Sequence, residues 1–578
     1  MAADDLRARI HEHLVRIYPE THASVLCENL FDAMGLDDET PGEPHRNHWD
    51  ERDAVVITYG DTLLGDAPPL TILRQFLRRE LRDLATVVHV LPFFPYSSDD
   101  GFAVIDYSSV NEALGDWDDI AGLAEDFDVM ADVVINHMSR RSQWFENYKQ
   151  DRDPGRGYFI EASLDADLSA VVRPRTSPLL APVETTRGTR HVWCTFSHDQ
   201  VDMNFANPQV LIEFVKILHL YLERGARWFR LDAVAFLWKE IGTPCIHLPQ
   251  THEIVKLLRL LVEAKAPGSV LVSETNVPNR ENLTYFGNGN EAHLIYNFSL
   301  PPLIIHTLIS GDCRHLKTWQ MTMPPAQDGT AYLNFIASHD GIGVRPAEGL
   351  LSGDELERLI ETMQRFGGHV TYRSTDGAEQ KPYEINIALI DALSGTVDGV
   401  ADEYQYDRFI CAHTIMLALE GVPAFYIHSL LATSNDHDRL ENTGRLRSIN
   451  RHQWAIDELE SALADESLLH GRVFGEIRRR IAIRRLHGAF HPNATQYTLH
   501  FGREIFGFWR QSMRRDQSIF ALHNVTNRQQ AVALNELNLI ESETWVELIS
   551  GSALDKLHGE LILEPYGCAW LTNKPTRG

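Results

Sequence analysis

From residue 54 onward, short runs of β-branched and aromatic residues alternate with longer stretches whose apolar positions recur every three or four residues. The short runs are Ala54–Tyr59, Val87–Leu91, Val129–Ile135, Ala226–Leu231, Val270–Ser273, His293–Phe298, Tyr332–Ala337 and Val422–Ile427. The helical stretches between them are clearest at Val210–Leu222 (VLIEFVKILHLYL) and Ile254–Val262 (IVKLLRLLV). A strand that is apolar at successive positions is buried on both faces, as in a parallel sheet covered by helices. Eight such strands separated by helices predict an α/β fold, a (β/α)8 TIM barrel.

The same pattern divides the chain. Residues 1–50 read as a helical extension, with Leu14, Ile17 and Tyr18 on one face and Val25, Leu26 and Leu30 on another. The barrel occupies 51–137, 204–340 and 404–487. The alternation breaks at 138–203, rich in Arg, Pro and Thr, and at 341–403, with Gly and Asp clusters. Both breaks follow a barrel strand and therefore rise from its C-terminal rim, where barrel active sites lie; excursions this long there shape a substrate pocket. Over 488–578 short alternating runs (TQYTLHFG, EIFGFWRQ, SIFALHNV, TWVELI, CAWLT) predict a C-terminal antiparallel β-domain.

Composition narrows the function classes. With 44% hydrophobic and 23% charged residues the chain is globular. Its formal charge of −28 argues against binding nucleic acid or an anionic membrane, and any anionic substrate needs a locally positive site. The six cysteines are scattered without a CxxC pair, so reduced buried thiols are expected rather than a disulfide or zinc framework. MAADDLRARIHEHLVRIYPE lacks the apolar core of a signal peptide, and the apolar stretch Ile410–Leu431 is interrupted by His413, Glu420, Pro423 and His428. The expected location is the cytoplasm. The face around Leu26 and Cys27 suits either a core helix or a homo-oligomer interface.

The chemistry sits at predicted strand ends. ADVVINHMS presents Asp132, Asn136 and His137; WFRLDAVAF presents Arg230 and Asp232; LVSETN presents Glu274; NFIASHDG presents His339 and Asp340. One such acid would be an ordinary structural ion-pair partner. Three carboxylates from three strands converging on one rim suit glycoside chemistry, in which one carboxylate attacks the anomeric carbon and another protonates the leaving oxygen. Arg230 and Asp232 are two apart and share a strand face, so the guanidinium favours an ionised nucleophile. The apolar VLVS before Glu274 predicts burial and a raised pKa, as a general acid needs.

The ordered segments DVVINH, FRLDA, SETN and ASHDG resemble the signature regions of the α-amylase family, glycoside hydrolase family 13. That resemblance implies Asp232 as nucleophile, Glu274 as acid/base and Asp340 as the acid that holds the sugar ring. His137, Arg230 and His339 match its glucose-binding residues. The asparagine matching Asn136 binds calcium in many relatives. LPFFPYSSDDGF, RLDAVAFLWKEIGTPCIHL, FSLPPL, ASHDGIGVRP, YEIN and SINRH resemble the sucrose phosphorylase branch, which lacks that metal, so neither metal nor cofactor is expected. The branch resemblance implies Asp99, Phe102 and Arg447 as glucose contacts, Phe196 and Gln200 on the acceptor side, mobile loops at 173–175 and 383–384 (Tyr383, Glu384), and Arg175 as the phosphate ligand. Within the branch, HWDERDAVVITYGD, SSDDGFAVIDY and PYEIN are most similar to glucosylglycerate phosphorylases, and Glu384 replaces the glutamine usual in sucrose phosphorylases.

The resemblance therefore implies small-molecule partners: an α-glucoside, inorganic phosphate and D-glycerate. Hydrolysis or transglucosylation by the same triad, a sucrose or sucrose 6-phosphate phosphorylase, and a catalytically dead scaffold are the competing readings. Retention of Asp232, Glu274 and Asp340 speaks against the last. Arg175 favours phosphate over water as acceptor.

Overall fold

A computed structural model describes residues 3–37, 48–374, 380–554 and 558–574. Eight parallel strands close into a barrel: β1 Val55–Thr58, β2 Val87–Val90, β3 Asp128–Val133, β4 Ala226–Leu231, β5 Val270–Ser273, β6 Leu294–Tyr296, β7 Ala331–Asn334 and β8 Val422–Tyr426. Each strand pairs with its sequence neighbour, and β8 closes on β1 through Val55↔Ala424 and Ile57↔Tyr426. Six of the eight fall within the runs of apolar residues singled out above, and β3 and β7 each begin one residue earlier, because a strand packed between barrel interior and helix layer has little solvent face on which to place polar residues. β1, β2, β5, β6, β7 and β8 are buried along their whole length.

The N-terminal segment forms α1 Ala3–Ile17 and α2 Ala23–Met34. They lie against two barrel helices, α3 Pro208–Glu223 and α4 Pro249–Lys265. Leu26 and Cys27 are buried there within the chain, so that face is a core face and not an oligomer interface. Tyr18 donates to the Phe205 carbonyl (2.8 Å), pinning the end of α1 next to the start of α3.

Two excursions rise from the barrel's C-terminal rim. After β3, His137–Ser139 pairs antiparallel with Gln200–Asp202, and a hairpin of Leu180–Thr185 and Gly188–Trp193 stands between them. After β7, Ile342–Gly343, His369–Ser374 and Gln380–Asn386 form a three-stranded sheet. The C-terminal segment is an antiparallel six-stranded sheet with its own apolar cluster around Phe520, Leu522, Trp545 and Leu571. Among the described residues no helix is long and apolar enough to cross a membrane.

Candidate active site

The rim loop after β2 makes a tight turn in which three consecutive residues, Asp99, Asp100 and Gly101, have positive φ (55°, 47° and 114°). Two aspartates in this region are uncommon and store strain. A Cβ at Gly101 would stand 2.7 Å from the Pro92 carbonyl oxygen, so glycine alone fits. The turn presents Asp99 and Phe102 to the barrel mouth. There the Phe102 ring stacks on His339 (centroids 5.1 Å apart, planes at 8°).

Opposite this platform, Arg230 from β4 is the hub of a buried charge network. Its Nη1 donates to Asp232 (2.8 Å) and, by a shorter contact, to Asp132 from β3, while Nη2 lies 4.0 Å from Glu274. Asp132 is also bonded by His89 of β2 (2.7 Å). Ala233, the residue after Asp232, sits at φ 52°, and its N–H donates to Glu274 (3.0 Å). The strained backbone beside the first acid thus orients the second. On the rim of β7, Asp340 receives Arg447 (2.5 Å), His339 (3.5 Å) and Arg451 (3.7 Å).

These residues share one cavity. Asp99, Phe102, His137, Arg175, Phe196, Gln200, Arg230, Asp232, Glu274, His339, Asp340, Tyr383 and Arg447 all line it, together with Asn276 and Ala233. Glu384 does not. It is buried and forms a bidentate pair with Arg447 (2.7 and 3.0 Å), facing an adjoining outer cavity that also contains Arg175, Arg445 and Arg451. Its carboxylate is therefore neutralised rather than presented bare to an incoming anion. Gln200 joins the two rims, bonding Asp99 (3.0 Å), the Phe102 carbonyl (3.3 Å) and His137 (3.1 Å).

The Alpha amylase, catalytic domain family matches residues 81–344. Over 98% of this chain and 99% of the relative, the sequence is 42% identical to the glucosylglycerate phosphorylase of Allomeiothermus silvanus. It is 40% identical to the glucosylglycerate phosphorylase of Escherichia coli over 98% of this chain and all (100%) of that protein. The chain belongs to the α-amylase family. Within that family it groups with the glucosylglycerate phosphorylases. Among solved structures it resembles the sucrose 6F-phosphate phosphorylase of Thermoanaerobacter thermosaccharolyticum, with a TM-score of 0.71, 25% identity, and coverage of 82% of this chain and 94% of that one.

The electrostatics of this α-amylase-family site separate its acids. Burial would raise Asp340, but Arg447, His339 and Arg451 outweigh it and hold the carboxyl well below the usual range. Asp132, equally buried, is brought down to about 2 by Arg230 and His89. Asp232 and Glu274 are both pushed up, first by burial and then by neighbouring carboxylates, against the pull of Arg230. The direct Arg230 bond favours charge on Asp232, whereas Glu274 lies 4.0 Å from that guanidinium and accepts from the Ala233 N–H. Burial thus opposes the ionisation of Asp232 that the Arg230 guanidinium favours.

Where many family members bind calcium through an asparagine, Asn136 here accepts from the Lys239 ammonium (2.6 Å), which also pairs with Asp202 (2.7 Å). A positive side chain fills that place and ties the β4 loop to the first rim excursion. Asn276 and the supporting pairs of Lys239, Arg451 and His89 were not picked out from the sequence. His89 alone left a trace there, a histidine inside the apolar run VVHV. Among the other arginines of the first excursion, Arg173 donates to the Ser177 carbonyl, and Arg187 is bound to Glu161 (2.7 Å) and Asp151 (3.3 Å).

Proposed function

We propose that this chain is a retaining glucosylglycerate phosphorylase, converting 2-O-α-D-glucosyl-D-glycerate and inorganic phosphate reversibly into α-D-glucose 1-phosphate and D-glycerate. The observation that carries the reading is the identity of 40–42% to glucosylglycerate phosphorylases over nearly the full chain, joined to a cavity that the Arg175 guanidinium lines together with the acid pair.

Asp232 attacks the anomeric carbon while Glu274 gives its proton to the departing glycerate oxygen. This leaves a β-linked glucosyl ester on Asp232. Phosphate then enters the vacated place, Glu274 takes back a proton, and a second inversion yields the α-phosphate. Phe102 and His339 form the platform for the ring, and Asp99, His137, Arg447 and Asp340 supply hydroxyl partners around it. Asp340 stays ionised and stabilises the positive charge that develops on the ring. Arg175 packs its guanidinium over Tyr383 (5.1 Å) and Phe196 (5.9 Å), which holds it at the acceptor side without cancelling its charge. Phosphate and glycerate are both small anions that reach the same carbon from the same side, so one arginine serves both. Six free cysteines suit the reducing cytoplasm, which is the location proposed with this function.

The reading is tested by the reverse reaction. With α-glucose 1-phosphate as donor, phosphate release is measured with equal concentrations of D-glycerate, glycerol, fructose, fructose 6-phosphate and glucose. D-Glycerate is expected to be the fastest acceptor. Faster release with fructose, fructose 6-phosphate or glycerol would reassign the acceptor and leave the acid pair and barrel as described.

A further inference from the structure

On the far side of the donor platform lies a second cavity of about 210 Å³. It opens at the same barrel rim, between the ends of β1 and β8, which are neighbours in the closed sheet. Tyr59 and Asp61 follow β1, and His428 follows β8. Tyr96 and Asp100 come from the loop after β2, and Arg439 from the short helix His437–Thr443. The cavity backs onto the platform through Tyr59 and Arg451. Tyr59 meets His339 edge-on (5.9 Å, planes at 88°). Arg451 packs over the Tyr59 ring (5.3 Å), donates through Nε to the His339 carbonyl (2.8 Å) and pairs with Asp100. The side chains that support the platform from behind are thus also walls of this cavity.

We propose that this cavity is a second, non-catalytic site for one small neutral polyhydroxylated molecule, a polyol or monosaccharide, whose presence braces the donor platform. Glucosyl transfer has no use for Asp61, His428 or Arg439. Yet three buried polar atoms on these walls have no partner among the described residues: the Tyr59 hydroxyl, His428 Nε2 and Arg439 Nε. Buried polar groups are almost always hydrogen-bonded, so three of them around one cavity are set out for an occupant. The side chains that carry them are held in place. His428 Nδ1 bonds the Thr433 hydroxyl (3.1 Å), Arg439 Nη1 donates to Gln453 (2.5 Å), and Gln453 donates in turn to Asp61 (2.7 Å).

Charge sets the class of ligand. Asp61 and Asp100 balance Arg439 and Arg451, and His452 is engaged by Asp436 (2.6 Å), so no positive surplus remains for phosphate or glycerate. A hydroxyl both donates and accepts. Neighbouring hydroxyls of one molecule can therefore meet the Asp61 carboxylate, the Arg439 N–H and the Tyr59 hydroxyl in turn. Tyr96, Pro92 and Leu114 supply apolar wall between these groups, which favours a molecule with carbons between its hydroxyls over a cluster of waters. At about 30 Å³ per water, the cavity has the volume of roughly seven waters, room for one six-carbon polyol.

D-Sorbitol is the probe, with the full-length enzyme. In crystals soaked with it, density for one molecule is expected between Asp61, His428 and Arg439. Isothermal titration should show saturable binding in solution, weakened at least about tenfold in Asp61→Ala and, separately, in His428→Phe. The crystals and the wild-type titration need neither variant. The effect on the platform is read from kcat/KM for α-glucosyl fluoride, which reports the first half-reaction alone and is blind to the acceptor. Saturating sorbitol is expected to raise it about fivefold in the wild type, and not in Asp61→Ala at the same concentration. Sorbitol in the donor pocket alone, water alone in the second cavity, density at crystal concentration without an isotherm in solution, or binding indifferent to both substitutions would each overturn the proposal. So would a kcat/KM that stays constant, or one that falls as sorbitol rises, which marks competition for the donor pocket.

Discussion

At the scale of single residues, the site rests on how burial and charge divide protons among carboxyls a few ångströms apart. Asp340 and Asp132 are pulled down by arginines and histidines, and Asp232 and Glu274 are pushed up by burial. Removing the attacking group tests the assignment directly. Asp232→Ala is expected to lower turnover by at least about 10⁴-fold, with far-ultraviolet circular dichroism unchanged, because the variant lacks the carboxylate on which the glucosyl ester forms. Turnover within about tenfold of wild type would remove Asp232 from the mechanism. Glu274 carries a pH signature. Its raised pKa means it is protonated below that value and loses its proton as pH rises through it. Glucosylation should therefore fall on the alkaline side, and Glu274→Gln should abolish that limb. The same variant should lose far less rate with α-glucosyl fluoride, whose leaving group needs no proton, than with the natural glucoside. Equal losses for the two donors in single-turnover measurements would show that Glu274 is not the acid. The types and spacing of these residues were readable in the chain, since FRLDA and SETN state them outright. The proton's position was not, because it depends on the neighbouring strands' charges and on the Ala233 N–H, a backbone group with no signature of its own.

At the scale of elements, the eight strands were legible because burial on both faces leaves little choice of residue, and each strand lies beside its sequence neighbour around the barrel. The loops were less so. The SSDDGF turn announces itself by composition, yet nothing in the letters says that Asp99 and Asp100 both enter the left-handed region. Lys239 looks like one more surface lysine in WKEIG until the fold brings Asn136 and Asp202 to its ammonium, from segments more than thirty positions away on the chain. The loop carrying Arg173 and Arg175 gives a prediction at this scale. Arg173 is spent on the Ser177 carbonyl and Arg187 on Glu161 and Asp151, which leaves Arg175 as the loop's guanidinium facing the acid pair. Arg175→Ala should cut phosphorolysis by about 10²-fold while leaving hydrolysis within about threefold, since charge-assisted bonds to an oxyanion have no counterpart for water. The ratio of glucose 1-phosphate to free glucose formed from the same glucoside measures this. An unchanged ratio would place phosphate elsewhere, with Arg445 in the outer cavity as the nearest alternative.

At the scale of the whole molecule, net charge and substrate charge oppose one another. The protein carries −28, while phosphate, glycerate, the glycoside and glucose 1-phosphate are all anions under the proposed reaction. Two fields therefore act on an approaching reactant. The global field repels it through solvent over tens of ångströms and is screened beyond a Debye length of about 8 Å at physiological ionic strength. At the mouth, Arg175, Arg445, Arg447 and Arg451 outnumber Asp99, Asp100 and Glu384 by one, and their local field acts over a few ångströms, partly shielded from water, and is screened much less. Adding salt should consequently weaken the repulsion more than the attraction. The expected result is a rise of about twofold in kcat/KM for phosphate between about 10 and 150 mM ionic strength, set with a bulky, weakly coordinating anion so that the acceptor pocket is not occupied. In the reverse direction, with α-glucose 1-phosphate held at saturation, kcat/KM for D-glycerate should rise in the same way, while that for glycerol, which is neutral, should not change. A fall for both anions would mean that the arginines, and not the net charge, govern encounter. Equal behaviour of glycerate and glycerol would mean that charge has no part in acceptor capture.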